Sequence, residues 1–368
     1  MTSPRKIRYA VVGLGWFAQE AALPAFSQAE NAQLAALVSD DPAKRQELSQ
    51  HYGVQQTYSY DQYENCLKSG QIDAVYIALP NHLHCEYTVR AAQQGIHVLC
   101  EKPMAMTVAE CEQMIQACDR HSVKLMIAYR LHFEPANLQA VKIAHSGQIG
   151  DVRLFNSVFT QQVVGDNIRL KDETGGGTLD DIGIYCINAA RYLFQDEPTS
   201  VLAVAASKGE PRFSDVEEMV SAILRFPGDR LAAFSVSFGG AKVSTYQIVG
   251  TKSDLRLEPA YTWQGEIKHF LTTDGKTQER TLGPSNQLAA EFTYFSDCIL
   301  ENKDPEPSGW EGLIDVRIIR ALYEAIEQGQ PVELSPPEKG QRPEPAQTIQ
   351  RPPSPRTPRY DSRRQSRR

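Results

Sequence analysis

The sequence predicts an α/β protein in which a doubly wound parallel sheet is followed by an α+β domain with a largely antiparallel, open sheet. The first observation is that residues 7–128 alternate short apolar runs with helical stretches, which is typical of a parallel sheet covered by helices on both faces. The second is that, after about residue 150, apolar runs follow one another through short turns such as Pro227-Gly228-Asp229, which indicates antiparallel pairing.

The apolar runs divide into two groups of predicted strands. The first sheet is predicted from strands at 7–12, 34–39, 74–79, 97–100 and 124–128, with helices near 16–28, 42–52, 61–68, 83–94 and 107–121. The second sheet is predicted from strands at 152–160, 201–206, 219–226, 231–238 and 245–249. A long helix is predicted at 178–194, and two more near 286–301 and 310–328. We therefore expect domains at 1–130 and 131–334, followed by a tail at 335–368.

Charge and composition exclude several classes of protein. The net charge is −7, but the segment from Ser335 onward holds eight Arg, one Lys and three acidic residues, a net +6 that leaves −13 for the rest. An acidic body does not favour nucleic-acid binding, and the Pro- and Arg-rich tail is expected to be disordered. No apolar run is long enough for a membrane span, and no signal-like segment precedes the first strand. Seven scattered cysteines without a CxxC pair indicate reduced thiols, so a cytoplasmic protein is expected.

A glycine-rich loop follows the first predicted strand. Residues 13–18 match G-x-G-x-x-A between a strand and a helix. In this motif Gly13 permits the tight turn, Gly15 lets the backbone approach a pyrophosphate, and Ala18 lets helix and strand pack closely. The N-terminus of the following helix adds N–H groups and a favourable dipole for phosphate. Two glycines in a loop are often only a turn, but this position at the start of an alternating domain favours a Rossmann dinucleotide site.

The end of the second predicted strand is expected to lie beside the adenosine ribose. There Ser39 is followed by Asp40 and Asp41, with Lys44 and Arg45 shortly after. An acidic residue at this point accepts from the ribose 2′-hydroxyl and selects NAD, whereas Ser39, Lys44 and Arg45 suit the 2′-phosphate of NADP. The two acidic residues can instead cap the next helix. The residues alone leave the choice between NAD and NADP open.

Glu101, Lys102 and Pro103 directly follow the strand at 97–100. Because the carboxyl ends of strands in doubly wound folds face the ligand crevice, Lys102 is expected to project toward the nicotinamide. A lysine there can stabilise the alkoxide that develops when an alcohol is oxidised. The alternative, a surface lysine beside a proline that ends the strand, is equally well supported by these residues alone.

Three glycines, residues 175–177, precede the long predicted helix and allow the backbone to pass close to a ligand or a neighbouring chain. Asp181 and Tyr185 are four residues apart and therefore share one helix face. A carboxylate and a phenol on one face can orient a substrate and move a proton. However, Thr178 and Asp181 also form a capping-box pattern, and Tyr185 can belong to the core. From the residues alone, the cap is the favoured interpretation.

Polar side chains also follow two other predicted strands. Leu79, Pro80, Asn81 and His84 lie at the end of the strand at 74–79, and Arg130 follows the strand at 124–128. Their place at the carboxyl ends of strands puts them at the ligand crevice. No group of His, Cys, Asp and Glu has the spacing of metal ligands, so no metal is expected.

Residues 74–81, 100–105, 128–135 and 175–192, taken in this order, resemble the Gfo/Idh/MocA oxidoreductase family. The resemblance covers about residues 5–334 and is greatest to the glucose–fructose oxidoreductase branch. It implies that Lys102, Asp181 and Tyr185 are the catalytic group, which replaces the cap interpretation of Asp181. In that reading Tyr185 takes the hydroxyl proton and Asp181 orients the substrate. The implied reaction is hydride transfer between nicotinamide and a sugar or related polyol, and the alternative is a non-catalytic NAD(P)-binding sensor or regulator.

The resemblance also implies the ligands and the assembly. Ser39 and Lys44 stand where the branch contacts the NADP 2′-phosphate, although Asp40 replaces a small residue, so NADP is expected and NAD is the alternative. The substrate is expected to contact Lys102, Arg130, Arg169, Asp181 and Tyr185. The cofactor is expected to contact Gly13, Gly15, Trp16, Phe17, Ser39, Lys44, Leu79, Pro80, Asn81, His84, Glu101, Lys102 and Arg130. An exchangeable cofactor and a homodimer or homotetramer through the second sheet are also implied.

Overall fold

The computed structural model describes residues 5–335 and 342–353, in which the long strands form two sheets. The strands of the first sheet are β1 Ile7–Val12, β2 Ala32–Val38, β3 Gln56–Tyr58, β4 Ala74–Ile77, β5 His97–Glu101 and β6 Leu125–Ala128. All of them pair in parallel, in the order β3-β2-β1-β4-β5-β6. This order is that of a doubly wound nucleotide-binding sheet, and the predicted fold class of the first part is confirmed.

Continuous apolar runs explain why this sheet is covered on both faces. All four residues of β4 are buried, as are five of the six in β1. The helices around it are α1 Leu23–Ala25, α2 Pro42–Tyr52, α3 Tyr63–Leu67, α4 His84–Gln93, α5 Val108–Arg120 and α6 Pro135–His145. Because all strands point the same way, their carboxyl ends meet at one edge, and that edge is where Lys102 follows β5.

The second sheet has nine strands and one open face. Its strands are β7 Val152–Gln162, β8 Ser200–Ala206, β9 Met219–Phe226, β10 Arg230–Ser237, β11 Gly239–Gly250, β12 Ser253–Glu258, β13 Ile267–Thr273, β14 Lys276–Leu282 and β15 Val332–Glu333. Their order is β14-β13-β12-β11-β7-β10-β9-β8-β15, and only β7 with β10 is a parallel pair. Buried and exposed residues alternate along β9, because one face packs on helices and the other does not. The predicted, largely antiparallel sheet is confirmed.

Three further helices complete the fold: α7 Ile184–Phe194, α8 Gln287–Leu300 and α9 Gly309–Gln328. Two of them return to the first sheet. Leu288 and Phe292 of α8 share a core with Tyr9 of β1. Gly312 of α9 packs so closely that a Cβ there would lie 2.9 Å from Ile127 of β6. Helices α8 and α9, although far along the chain, therefore pack against the nucleotide-binding sheet.

Several elements differ from the prediction. The predicted helix at 178–194 starts with a π-helix, Leu179–Gly183, before α7, and a second π-helix, Ala18–Ala22, follows the glycine loop. The strand predicted at 245–249 is part of the longer β11. Strands β3, β12, β13, β14 and β15 were not predicted, and β14 is exposed over six of its seven residues, so it lacks an apolar pattern. Short 3-10 helices lie at Tyr60–Gln62, Asn81–Leu83, Arg130–Phe133, Ile168–Leu170, Asp172–Thr174, Pro211–Phe213 and Pro345–Gln347.

Part of the segment expected to be disordered lies against the body of the protein. Within residues 342–353, the carbonyl of Arg351 accepts from the Asn286 N–H at 2.8 Å, and the Gln347 amide donates to Glu306 at 2.7 Å. The rest of that predicted tail, 336–341 and 354–368, lies outside the described residues. All seven cysteines are buried and free of disulfides. Among the described residues, no helix combines the length and apolar character needed to cross a bilayer.

Candidate functional site

The glycine loop after β1 has the geometry of a phosphate cradle. Gly13 has a φ of +95°, and a Cβ there would lie 2.4 Å from the Ala78 carbonyl oxygen, so only glycine fits. Gly15 is different, because a Cβ there would meet no protein atom within 4 Å. The space beside Gly15 is thus open to a ligand, whereas Ala18, 1 % exposed, packs into the core. This arrangement fits the backbone approach of a dinucleotide pyrophosphate.

The end of β2 separates the two neighbouring aspartates. Asp41 caps α2 by accepting from the Lys44 N–H at 3.0 Å, so the cap interpretation is right for this residue. The carboxylate of Asp40 instead accepts from the Tyr60 N–H at 2.7 Å. Ser39, at the end of β2, is 5 % exposed. Of the two aspartates, Asp41 therefore holds the start of α2 and Asp40 contacts the loop after β3 through one carboxylate oxygen.

Lys102 reaches from the end of β5 to the helix that carries the other predicted catalytic residues. Its Nζ donates to the Asp181 carbonyl oxygen at 2.7 Å and lies 3.5 Å from Asp181 Oδ1. The same Nζ lies 4.5 Å from the centroid of the Tyr185 ring. Only 11 % of the Lys102 side chain is exposed. The structure thus brings Lys102, Asp181 and Tyr185 into one cluster.

The Asp181 carboxylate faces the cleft. Its Oδ2 accepts from Arg169 Nε at 2.7 Å. Burial would raise the pKa of Asp181, but Arg169 and Lys102 outweigh this and hold the pKa below its usual value. The cap interpretation is wrong here, because Thr178 is helical and its hydroxyl donates to Glu217 at 2.6 Å. Asp181 is therefore an ionised group held by two cations.

Tyr185 lies among cations and aromatic rings. The Arg130 guanidinium is 4.9 Å from its ring centroid, in addition to Lys102. The rings of Phe159 and Tyr261 pack against it at centroid distances of 5.7 and 6.0 Å. Two positive charges beside one phenol ring attract negative charge to it, and burial of their surroundings strengthens that attraction. The arrangement suits a phenol that exchanges a proton with a substrate hydroxyl.

Arg130 links three segments of the chain beside Tyr185. Only 6 % exposed, it donates to the Tyr261 carbonyl at 2.7 Å, to the Thr262 carbonyl at 3.2 Å and to Gln287 Oε1 at 2.7 Å. It therefore joins the end of β6 to the loop after β12 and to the start of α8. Arg130 thus has a structural role as well as a face toward the Tyr185 ring.

The comparisons with known proteins agree with this geometry. A family model described as the oxidoreductase family with an NAD-binding Rossmann fold matches residues 7–129, and the model of the Gfo/Idh/MocA C-terminal domain matches residues 137–256. The chain belongs to the Gfo/Idh/MocA oxidoreductase family. The predictions of this family, of its fold and of a nicotinamide-dependent oxidoreductase are confirmed.

Several relatives of this Gfo/Idh/MocA protein are enzymes of sugars. It is 35% identical over 337 residues to the D-xylose 1-dehydrogenase [NADP(+)] of Haloarcula marismortui, covering 89% of this chain and 93% of the relative. It is 30% identical over 330 residues to D-xylose 1-dehydrogenase (NADP(+)) 2 of Haloferax volcanii, covering 89% and 99%. The crystal structure of the aldose–aldose oxidoreductase of Caulobacter crescentus, complexed with glycerol, matches with a TM-score of 0.86 and 38% identity, covering 90% of this chain and 100% of that one.

Glu101 of this Gfo/Idh/MocA site lies at the floor of the cleft. Its Oε1 accepts from the Tyr76 hydroxyl at 2.5 Å. Burial raises its pKa, although Tyr76 and Lys102 oppose the shift. Below it, Glu291 of α8 is fully buried, and neither of its carboxylate oxygens has a hydrogen-bond partner in the described part of the chain. Burial and the neighbouring Glu101 raise the pKa of Glu291 well above its usual value.

His84 does not offer its ring to a ligand. It is fully buried, with Nδ1 2.9 Å from the Pro103 carbonyl and Nε2 2.9 Å from the Leu79 carbonyl. The predicted cofactor contact of this side chain is therefore wrong, because its ring ties together the two loops that follow β4 and β5. The Asn81 amide donates to the Gly175 carbonyl at 2.6 Å, which holds the glycine-rich turn against the same loop, next to Pro80.

Two clusters of site residues were not predicted. Trp263 packs edge-on against Trp16 and Phe17 at centroid distances of 6.0 and 6.1 Å, at the mouth of the glycine loop. Tyr261 and Gln287 surround Arg130 from the second part of the chain. The segment Tyr-Thr-Trp at 261–263, in the loop between β12 and β13, is the signal that could have found the aromatic residues, since binding residues are often carried on loops.

Proposed function

We propose that this protein oxidises the anomeric hydroxyl of an aldose with NADP as the hydride acceptor. The observation that carries the proposal is the cluster of Lys102, Asp181 and Tyr185 at the carboxyl edge of the first sheet. The named functions of the relatives, NADP-dependent D-xylose dehydrogenases and an aldose–aldose oxidoreductase, support an aldose as substrate. An ionised carboxylate and two arginines are suitable partners for the several hydroxyls of a sugar.

In this proposal each residue of the cluster has a separate role. Tyr185, as its phenolate, takes the proton of the reacting hydroxyl at its phenol oxygen and becomes a neutral phenol, while the positive charge of Lys102 stabilises the phenolate before the transfer. Asp181, fixed by Arg169 at 2.7 Å, accepts hydrogen bonds from neighbouring sugar hydroxyls and sets the orientation of the ring. The nicotinamide, when bound, supplies the hydride acceptor. Phe159 and Tyr261 keep water away from the phenol.

The residues present fit a dinucleotide. Gly13 and Gly15 would hold the pyrophosphate, because the loop leaves open space at Gly15. Ser39 and Lys44 would hold the 2′-phosphate at the end of β2. We infer a preference for NADP, in line with the NADP-dependent D-xylose dehydrogenases among the relatives.

A kinetic survey tests the function. Initial rates are measured with a panel of aldoses, anhydro-sugars and cyclitols, in both directions, with NADP and with NAD, by the absorbance of the reduced nicotinamide. We expect the highest kcat/KM with an aldose and NADP, and loss of turnover with retained cofactor binding in Tyr185→Phe. Tyr192→Phe is the matched control. Tyr192 is buried outside the cleft, and its hydroxyl donates to Asn137 Oδ1 at 3.0 Å. Cofactor binding by the wild type without turnover of any compound would favour a sensor or regulator.

We also propose that the open face of the second sheet is the interface of a homodimer. Exposed apolar side chains are concentrated on this face, among them Val158, Val204, Ile223 and Leu231. The same face has a depression of about 570 Å³. Contiguous apolar surface of this kind marks interaction sites in other proteins. Light scattering tests the proposal: Ile223→Glu is expected to be monomeric where the wild type is a dimer, and a monomeric wild type would contradict it.

A further inference from the structure

The helix that carries Tyr185 is anchored on its buried side by two polar residues. Asn188 and Arg191 follow Tyr185 at helical spacing and are 3 % and 0 % exposed. The Asn188 amide donates to Glu311 at 3.1 Å and to Asp315 at 2.9 Å, both on α9. Asn188 also lines, with Lys102 and Tyr185, one small cavity behind the catalytic group. Asn188 therefore lies directly behind the catalytic pair, three residues along the same helix from Tyr185.

The buried charges around Arg191 do not balance one another. Arg191 contacts three carboxylates, those of Glu197, Glu311 and Asp315, at 2.6, 3.0 and 2.5 Å. One guanidinium among three carboxylates leaves a buried excess of negative charge, which is costly. Burial raises the pKa of Glu311 to about 7, although the positive charge of Arg191 opposes the shift. A further cation beside Glu311, in addition to Arg191 and the charge of His132, therefore helps to hold this carboxylate in its bond with Asn188.

The second cation comes from the far end of the chain. Arg342 donates to Glu311 at 2.6 Å and also contacts Glu197, and only 10 % of its side chain is exposed. Burial and the nearby Arg191 act against its charge and lower its pKa, but a guanidinium remains protonated when it is paired in this way. Among the described residues, Arg191 and Arg342 are the two cations that form ion pairs with Glu311.

Arg342 belongs to residues 342–353, here named the C-terminal strap. Beyond Arg342, Gln347 donates to Glu306 at 2.7 Å, and the Arg351 carbonyl accepts from Asn286 at the start of α8. Ile349 packs against the core of the first sheet. The strap is therefore fixed at several points along its length, which holds the Arg342 guanidinium in the acidic cluster.

We propose that Arg342 of the C-terminal strap is a positioning residue for the catalytic group, acting through Glu311 and Asn188 on the helix of Tyr185. The inference rests on the proposed function only for its kinetic readout. Because displacements of about 1 Å at a catalytic group can lower turnover strongly, loosening of this anchor lowers kcat. Binding of NADP is unaffected, since neither Arg342 nor Glu311 contacts the glycine loop or the end of β2.

The experiment compares Arg342→Ala, Arg342→Lys and a chain ending at Ser335 with the full-length protein. We expect kcat to fall about 2- to 30-fold in Arg342→Ala, with KM and Kd for NADP unchanged. In the shortened chain kcat is expected to fall at least as far, and there the contacts of Ile349 and of the Arg351 carbonyl with the nucleotide-binding part are lost as well. Arg342→Lys retains the charge and keeps most of the kcat, and millimolar guanidinium chloride restores activity to Arg342→Ala. Hydrogen exchange, which does not depend on turnover, is expected to speed up in Ile184–Phe194 but not in Val108–Arg120.

Two controls separate this role from general stability. Arg351→Ala removes a guanidinium of the same strap that lies 4.0 Å from the exposed Glu30, so kcat should stay unchanged. A chain ending at Pro353 retains the strap and should behave like the full length. Unchanged kcat and unchanged exchange in Arg342→Ala would overturn the proposal, as would an equal loss in the chain ending at Pro353. If no sugar is turned over, the exchange measurement still decides the positioning role while the proposed function fails.

Discussion

Replacing Lys102 by methionine removes one positive charge from the catalytic group and keeps most of the side-chain volume. The Nζ atom lies 4.5 Å from the centroid of the Tyr185 ring. With an effective dielectric constant of about 20, a unit charge at that distance stabilises a negative charge on the ring by at most about 3.7 kcal/mol, and the Asp181 carboxylate, 3.5 Å from the same Nζ, reduces this. Because about 1.4 kcal/mol corresponds to a factor of ten in rate, kcat is expected to fall by more than about tenfold and by up to roughly 500-fold.

The assay measures initial rates at saturating aldose and NADP, together with the melting temperature and the Kd for NADP. Lys124→Met is the matched control, since Lys124 Nζ contacts Asp304, 86 % exposed, at 2.7 Å and lies outside the site. We expect no change of kcat in that control. A folded Lys102→Met protein that binds NADP and keeps kcat within about tenfold of the wild type would refute the role of this charge.

Changes at the ribose pocket, the substrate side and a buried histidine have separable effects. Ser39→Ala with Lys44→Ala is expected to lower kcat/KM for NADP by about 10- to 150-fold, and an equal loss with NAD would contradict it. Arg169→Leu removes the 2.7 Å contact to the cleft carboxylate and should raise KM for the aldose with Kd for NADP unchanged; a higher Kd would refute this. Although burial opposes it, Glu306 raises the pKa of His132, so the folded protein keeps a proton that the unfolded chain loses above about pH 6.5. The free energy of unfolding should therefore fall as pH rises above that value. Urea titrations at several pH values should show that this free energy depends less steeply on pH in His132→Gln; an equal dependence on pH would be evidence against the charged histidine.

Local patterns predicted the frame of the fold. The strand predicted at 7–12 is β1 itself, and the strands at the catalytic edge end within about two residues of their predicted ends, because each is a buried apolar run followed by a polar turn. β14 could not be predicted in this way, since its residues face solvent and it is held only by pairing with β13. The two π-helices also have no periodic signal in the sequence.

The site was predictable where its residues follow strands and not where they come from distant segments. Lys102 follows β5 directly, so the topology of a parallel sheet places it at the crevice. Gln287 is 157 positions from its partner Arg130, and no local pattern indicates that contact. The same limit applies to Arg342, which appeared in the sequence only as part of a basic, Pro-rich tail. Contacts of this kind depend on how the two sheets are joined, which periodicity does not describe.

The neighbouring residues Asp180 and Asp181 show why the structure, rather than the residue type, separates scaffold from site. Consecutive residues of a helix point in different directions, so the two carboxylates, both in the π-helix Leu179–Gly183, face different surroundings. Asp180 contacts Arg320 and the Tyr323 hydroxyl of α9, and burial raises its pKa to about 6. Asp181 faces Lys102 and Arg169, which hold its pKa below the usual value. The buried carboxylate therefore fixes the start of the helix on α9, whereas its neighbour contacts the two cations that the proposed reaction uses and lies 3.5 Å from Gln161 Nε2.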